Sequence, residues 1–423
     1  MAGIDPTGLS GGRGVPSSQF GDRAISVEQE PDLGEGRMIL NFGPQHPATH
    51  GTLRLRLELE GEDIVSCDPE IGFLHTGFEK LGESRNFNQF ITVTDRMNYM
   101  SAMSNNVGFA LAVEKLLGIQ APPRAQMIRL IMAELSRISD HIINVGLHGM
   151  DLGAFSVMLW AFIEREKVYD IFELTSGGRL TTSYARVGGL AFDLPENVLP
   201  RIRRFLDEVP KVLDEIEYML SNNQIFIDRT EGIGVLTPEM ARDYGVTGPL
   251  ARSAGIDFDL RRDRPYLGYE NFDFEVPVLT AGDSLARFTI RLLEMRESLK
   301  ILHQALDNLP DGPVDCLGGK TRVPDKNDVY TKMESLIHHF ILTMPGHGMD
   351  VPKGEVYAAT ESPNGELGWY IVSSGTAIPY RVRVRPPSYY NYSAFKEMIE
   401  GCKVSDIVAT LGSLGVIAGE LDR

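Results

Sequence analysis

The stretch from residue 84 to about 300 constrains the fold most. Its apolar residues recur at the three- and four-residue spacing of amphipathic helices. The clearest helix opens at Pro123, where a preset φ suits a first helical turn, and runs to about Leu147. Ile128, Ile131, Leu135, Ile138 and Ile142 form one apolar stripe along it. Further helices are expected over Met97–Leu117, Gly153–Thr175, Glu196–Asn222 and Ser284–Leu309. Such lengths suit a helical bundle. Irregular sequence at 229–283, rich in Arg, Asp, Gly and Pro, joins the last two.

The flanks read differently. Leu53, Leu55, Leu57 and Leu59 alternate with Arg54, Arg56, Glu58 and Glu60, the period of a half-buried strand. Gly61-Glu62-Asp63 is a turn, and Ile64–Cys67 starts a second strand. Near the other end Glu355–Ala359, Gly368–Ser373 and Tyr380–Arg385 are short β-like runs. They are separated by the turn chemistries Ser362-Pro363-Asn364-Gly365 and Ser374-Gly375. The fold class is therefore α+β. A central helical bundle (84–345) lies between a small N-terminal β meander (37–83) and a C-terminal β meander with a terminal segment (346–423). Residues 1–36, with eight Gly and three Pro, read as an extended or flexible tail and not as a signal peptide. Ile407 to Gly419, about 13 residues, falls short of the roughly 20 that a membrane helix needs. It reads as a buried terminal segment, so work at a membrane would require a partner.

Composition narrows the function. The formal net charge is −17, which disfavours sequence-independent nucleic-acid binding, since that rests on phosphate neutralisation. The cysteines stand at 67, 316 and 402 with no CxxC. That opposes a disulfide framework and an iron–sulfur cluster held by this chain alone, which usually takes four thiolates. Walker loops, GxSxG elbows and GxGxxG turns behind a strand are absent.

Candidate polar residues each have a plain reading. His46 and His50 lie four apart in Gly43-Pro-Gln-His-Pro-Ala-Thr-His-Gly51, but the prolines force a loop, so a zinc site is poorly supported. His141 and His148, two helical turns apart with Asp151 nearby, read as satisfied, semi-buried polar groups. Asp95 suits a helix N-cap, and Tyr99 suits a core position with its hydroxyl on a carbonyl. Arg261-Arg262-Asp263-Arg264 reads as a solvated charge run or an interface.

Longer blocks carry more information. Asn41 to Leu55, Glu70 to Lys80, Asp95-Arg-Met-Asn-Tyr99, Gly248 to Arg261, Pro352 to Tyr357, Glu361 to Gly368 and Gly419 to Arg423 occur in one order. Together they resemble the D subunit of respiratory complex I, the NADH:quinone oxidoreductase, over about residues 38–423. That family is similar to the large subunit of nickel–iron hydrogenases, which implies a hydrogenase-like α+β architecture. A hydrogenase needs two cysteine pairs for its metals. This chain has Met97, Asn98, Tyr99 and Met100 at the first place and Gly412 to Val416 at the second. Hydrogenase activity is set aside, and the old metal cavity is expected to be the quinone head-group site.

The resemblance assigns roles residue by residue. Quinone reduction takes two electrons and two protons, so donors at both ring oxygens stabilise the reduced forms. Tyr99 matches the donor to one carbonyl and His50 the donor to the other; an imidazole of pKa ~6.5 is a suitable proton donor. Asp151 matches the carboxylate partner of that histidine. Ile417, in the C-terminal apolar segment, resembles a residue of a strand lining the same cavity. Arg96 matches an arginine near the partner's cluster. Thr181 stands where many relatives have a histidine linked to the pH dependence of the cluster potential. Since threonine takes up no proton, a potential nearly independent of pH is expected here. Gly282-Asp-Ser-Leu-Ala-Arg287 also departs from the family block, which bears on local packing.

The implied protein is a quinone-binding subunit of a proton-translocating NADH:quinone oxidoreductase, peripheral on the cytoplasmic face of a bacterial inner membrane. Its expected partners are the B, C and I subunits and the membrane-embedded H subunit. The iron–sulfur cluster and NAD/FMN would be held by partners, with quinone as substrate and no metal or cofactor on this chain. The alternatives are the same subunit in a ferredoxin-fed complex, and a non-catalytic scaffold that would have lost His50, Tyr99 or Asp151; all three are present.

Overall fold

The computed structural model describes residues 36–316, 321–344 and 346–423, so the tail expected at 1–36 lies outside them except for Gly36. The architecture is α+β. Strands β1 (Arg37–Phe42), β2 (Arg54–Glu60) and β3 (Asp63–Glu70) form an antiparallel sheet in that order, with Leu57 opposite Leu40 on one side and Cys67 on the other. The leucine alternation has the expected result. Leu55, Leu57 and Leu59 are buried in one cluster with Phe395, Leu411 and Leu414, while the charged residues between them face outward.

The bundle is built on α1 (Phe87–Thr94), α2 (Ala102–Leu117), α3 (Pro123–Asp151), α4 (Phe155–Ser176), α5 (Val198–Ser221) and α6 (Ser284–Asp307). At 1.5 Å per residue α3 is about 44 Å long and lies against α4 and α6. Its five stripe residues are all buried in the main core. Burying each such side chain contributes about 1.5–3 kcal/mol.

Two helix ends differ from expectation, both for local reasons. α3 continues to Asp151, so that residue closes the helix rather than following it. α2 begins at Ala102, not Met97, because the Asn98 carboxamide oxygen accepts from the backbone N–H groups of Met100 and Ser101 at 3.1 and 3.2 Å. That side-chain bond competes with the helix and leaves 95–101 as a turn. Asp95 consequently closes α1 and is no N-cap.

A short hairpin of β4 (Ala185–Arg186) and β5 (Gly189–Leu190) follows α4. The third sheet, β6 (Gly354–Ser362), β7 (Gly365–Ser373) and β8 (Arg381–Arg385), is an antiparallel meander turned by Pro363-Asn364. It packs on α2 through buried Trp369, which meets Phe109 edge-to-face at 5.3 Å. The terminal segment forms no strand. It is α7 (Val404–Leu414) and α8 (Ala418–Asp422), with Ile417 capping the latter.

A buried ionic network ties these layers. Glu134 on α3 accepts from Tyr269 and Ser298 hydroxyls at 2.6 Å and from Arg137 Nε at 3.2 Å, with Arg261 Nη1 at 3.4 Å. Arg252 joins Glu294 at 2.7 Å and Glu361 at 2.9 Å. Arg261 is fully buried against Asp259 at 2.7 Å, whereas Arg262 is exposed. The expected solvated run thus has its first member in the core. The convergence of hydrogen bonds and countercharges on each group offsets the cost of burying charge.

Candidate functional site

The segment before β2 is shaped by its own polar groups. Pro47–Thr49 is a single 3-10 turn. His46 Nδ1 accepts from Ala48 N at 3.2 Å, and the Thr49 hydroxyl donates to His46 O and Gly51 O at 2.7 Å. His50 then takes a left-handed φ of 50°, which for a non-glycine residue costs about 1–3 kcal/mol and tends to occur where a side chain is aimed for use. His46 is occupied locally and lies against Phe42 at 4.0 Å, so the two histidines have different roles.

His50 Nε2 lies 2.8 Å from Asp151 Oδ2, with the side chains 14% and 4% exposed. The two atoms are at contact distance, but neither is in an aligned hydrogen bond. Gly412 of α7 makes this possible. A Cβ there would sit 2.8 Å from Asp151 Oδ2 and 3.4 Å from the His148 ring.

His50 and Tyr99 face one cavity of about 40 Å3. Asp140, Ile143, Asn144 and Leu147 of α3 form one wall, Tyr99 and Met100 of the 95–101 turn another, and Gly415 to Ile417 a third. The sequence therefore brings together His50, Tyr99, Asp151 and Ile417, though they come from a loop, a turn, a helix end and a helix cap. The third wall is held by buried arginines. Arg291 donates to Ser413 O at 2.7 Å and Leu414 O at 3.0 Å, satisfying carbonyls that the end of α7 leaves open.

Titration behaviour follows from burial. Desolvation pushes the Tyr99 phenol up, the Asp140 charge adds to this, and Arg165 opposes it. Burial pushes Asp140 up to about 6, against the pull of the Asn98 amide and of Arg291, Arg165 and Arg137. His148 is no satisfied, semi-buried group. It is fully buried, packs edge-to-face on Phe226 at 5.4 Å, and has no partner for Nε2. Burial, with Arg291 and Arg287, holds it down to about 3, so it stays neutral. His141 bonds Glu294 at 3.0 Å, and burial lowers it to about 4.

Arg96 and Thr181 are both exposed, outside the cavity but on adjoining loops. Buried Asp95 joins those loops by accepting from Asn106 Nδ2 at 2.8 Å and Ser183 N at 3.1 Å, and from the Ser183 hydroxyl. Desolvation pushes its carboxyl up, and these same bonds pull it down.

Asp140 was missed from the sequence. Its signal was the spacing 140, 144, 147, 151, which places all four residues on one helical face. Roomier clefts exist, of about 430 Å3 near Glu114 and Tyr357 and about 400 Å3 near Lys167 and Glu208. Their acidic groups are already paired, Glu114 with Arg129 and Glu208 with Lys167, so neither gathers donors as the small cavity does.

The family model for the respiratory-chain NADH dehydrogenase 49 kDa subunit matches residues 151–423. The chain belongs to that family. The D subunit of NADH-quinone oxidoreductase from Geotalea uraniireducens is 50% identical over 386 residues, covering 91% of this chain and 98% of the relative. The D subunit from Akkermansia muciniphila is 50% identical over 399 residues, covering 94% and 95%. That from Geobacter sulfurreducens is 48% identical over 386 residues, covering 91% and 98%. As a member of the 49 kDa subunit family, the chain is one component of a respiratory-chain oxidoreductase complex, and activity belongs to the assembly. No helix among its described residues is long and apolar enough to cross a membrane.

Proposed function

We propose that the cavity between α3, the 95–101 turn and residues 415–417 binds a quinone head group. The observation that carries this is the convergence of two different proton donors, Tyr99 and the Asp151-backed His50, on one space. Tyr99 donates to one ring oxygen and His50 to the other as electrons arrive, each bond strengthening as negative charge develops on the oxygen it faces. Asp151 backs the imidazole at 2.8 Å on the side away from the ring. Ile417 supplies apolar contact to the ring. A cavity of about 40 Å3 has room for water and not for a ring, so head-group entry has to widen it.

Electrons reach the ring from an iron–sulfur cluster in the adjoining B subunit, fed by NAD and FMN chemistry farther off. Arg96 and Thr181 lie on the surface facing that cluster. Because Thr181 carries no titrating group, the cluster potential is nearly independent of pH; a steep slope near neutrality in a redox titration counts against this. The first turns of α4 leave Phe155, Leu159, Trp160 and Ile163 exposed at 39–57% beside the site. Such a stripe suits a protein neighbour, and we assign neighbours to the B, C, I and membrane H subunits, on the cytoplasmic face of the bacterial inner membrane.

The test uses the assembled complex with Tyr99→Phe. NADH-to-quinone reduction falls at least tenfold, while NADH-to-hexacyanoferrate reduction, which bypasses the cavity, stays unchanged. Equal retention of both rates overturns the assignment. Replacing NADH with reduced ferredoxin as the donor separates the two electron-input readings.

A further inference from the structure

Beyond the two donors, the cavity wall holds a third ionisable group, the carboxylate of Asp140. Asp140 is fully buried, yet among the described residues it forms no ion pair at contact distance; its bond is a long one, 3.3 Å from the neutral Asn98 amide. Glu134, Glu294 and Glu361, by contrast, are all held by guanidinium groups. Asp140 borders the same cavity as Tyr99, and that cavity is large enough for water. It also stands eleven residues before Asp151 on one face of α3, about 16 Å along the axis. One helix thus presents a carboxylate to each donor, Asp151 to His50 and Asp140 to the side of Tyr99.

Resting on the quinone-site reading, we propose that Asp140 is the relay that returns a proton to Tyr99 after each transfer to the ring. When Tyr99 gives its hydroxyl proton to a ring oxygen, the phenolate is left in an apolar space. The protonated carboxyl of Asp140 then gives up its proton through cavity water, and the Tyr99 O–H bond reforms. The Asp140 carboxylate regains a proton from solvent. Electrons come from NADH, as in the overall reaction, and none pass through Asp140. The groups facing Asp140 are Tyr99 and His50 across the cavity, Arg137 on its own helix, Arg165 on α4, Arg291 on α6 and Glu420 on α8. No cation among them is in contact, so a proton stays available. An acid titrating near the working pH is best placed to cycle, and burial pushes this carboxyl up to about 6.

The experiment compares Asp140→Asn, Asp140→Glu and Tyr99→Phe in the purified complex, using a short-chain quinone and hexacyanoferrate as acceptors across pH 5–9. Wild-type quinone turnover falls as pH rises through the titration of Asp140. Asp140→Asn lowers kcat roughly a hundredfold, leaves KM within about threefold and flattens that limb. Asp140→Glu restores turnover with the limb displaced. Hexacyanoferrate reduction is unchanged in all three. Asp140→Asn with wild-type rate and profile overturns the relay while Tyr99→Phe still loses quinone reduction. Tyr99→Phe with unchanged quinone reduction overturns the site itself. A low kcat with the wild-type limb intact assigns Asp140 a structural role and overturns the relay. If Asp140→Asn fails to assemble, the Asp140→Glu limb decides. Failure of both to assemble assigns the residue to folding and overturns the proposal.

Discussion

Replacing Glu134 with Gln probes what holds α3, and with it Asp140 and Asp151, in place. Glu134 is fully buried, and its carboxylate faces Arg137 and Arg261, both also fully buried. Gln keeps the shape but accepts at one oxygen only, so one of the two hydroxyl bonds, from Tyr269 or Ser298, must reverse or be lost, and two buried cations are left with one less countercharge. Breaking a buried pair from one side costs about 3–5 kcal/mol. Linkage gives a similar size. Burial opposes ionisation of Glu134, yet Arg137 and Arg261 outweigh it and hold the carboxyl down to about 2, from 4.5. At 1.36 kcal/mol per unit, that is about 3 kcal/mol of linkage. The sign follows from the lowered value: this stability is fully present above pH ~4.5 and is lost as pH falls through about 2. Hydrogen exchange of the assembled complex, read by mass spectrometry on peptides from α3, measures the effect. Core amides of 128–142 should exchange roughly two to four powers of ten faster in Glu134→Gln. As a control, Glu166→Gln removes an exposed partner of Arg179 and should change exchange by less than about tenfold. A Glu134→Gln change no larger than the control refutes the view that this network anchors α3.

Two further outcomes test packing at and behind the site. Gly412→Ala puts a methyl group 2.8 Å from Asp151 Oδ2; it should displace the His50 partner and cut quinone reduction several-fold with hexacyanoferrate reduction intact. Ile138→Ala empties a fully buried position of the α3 stripe and should cost about 2–5 kcal/mol, seen as a lower unfolding temperature of the complex with KM for quinone unchanged.

Much of the fold was legible in the residues. The leucine alternation at 53–59 and the stripe from Ile128 to Ile142 each report burial of one face, a local property with a fixed period, so strand and helix followed directly. The Pro363-Asn364 hairpin was equally local. Helix ends were less legible. The start of α2 depended on one carboxamide, Asn98, choosing backbone N–H groups over solvent, and the end of α3 on packing beyond Leu147. Arg261 shows the same limit: a charged residue reads as exposed until the fold supplies Asp259 and Glu134 to receive it.

The site divides in the same way. His50, Tyr99, Asp151 and Ile417 were singled out by the resemblance of the blocks that carry them, which are distinctive as strings, and not by residue type or spacing. Only the tertiary structure decided that His50 Nε2 comes within 2.8 Å of Asp151, that Arg291 seats residues 415–417 as a wall, and that Asp140 is buried without a contacting cation. Those are relations between segments up to several hundred residues apart. A linear pattern records which side chain occurs at each position, whereas distance, desolvation and countercharge exist only once the chain has closed on itself.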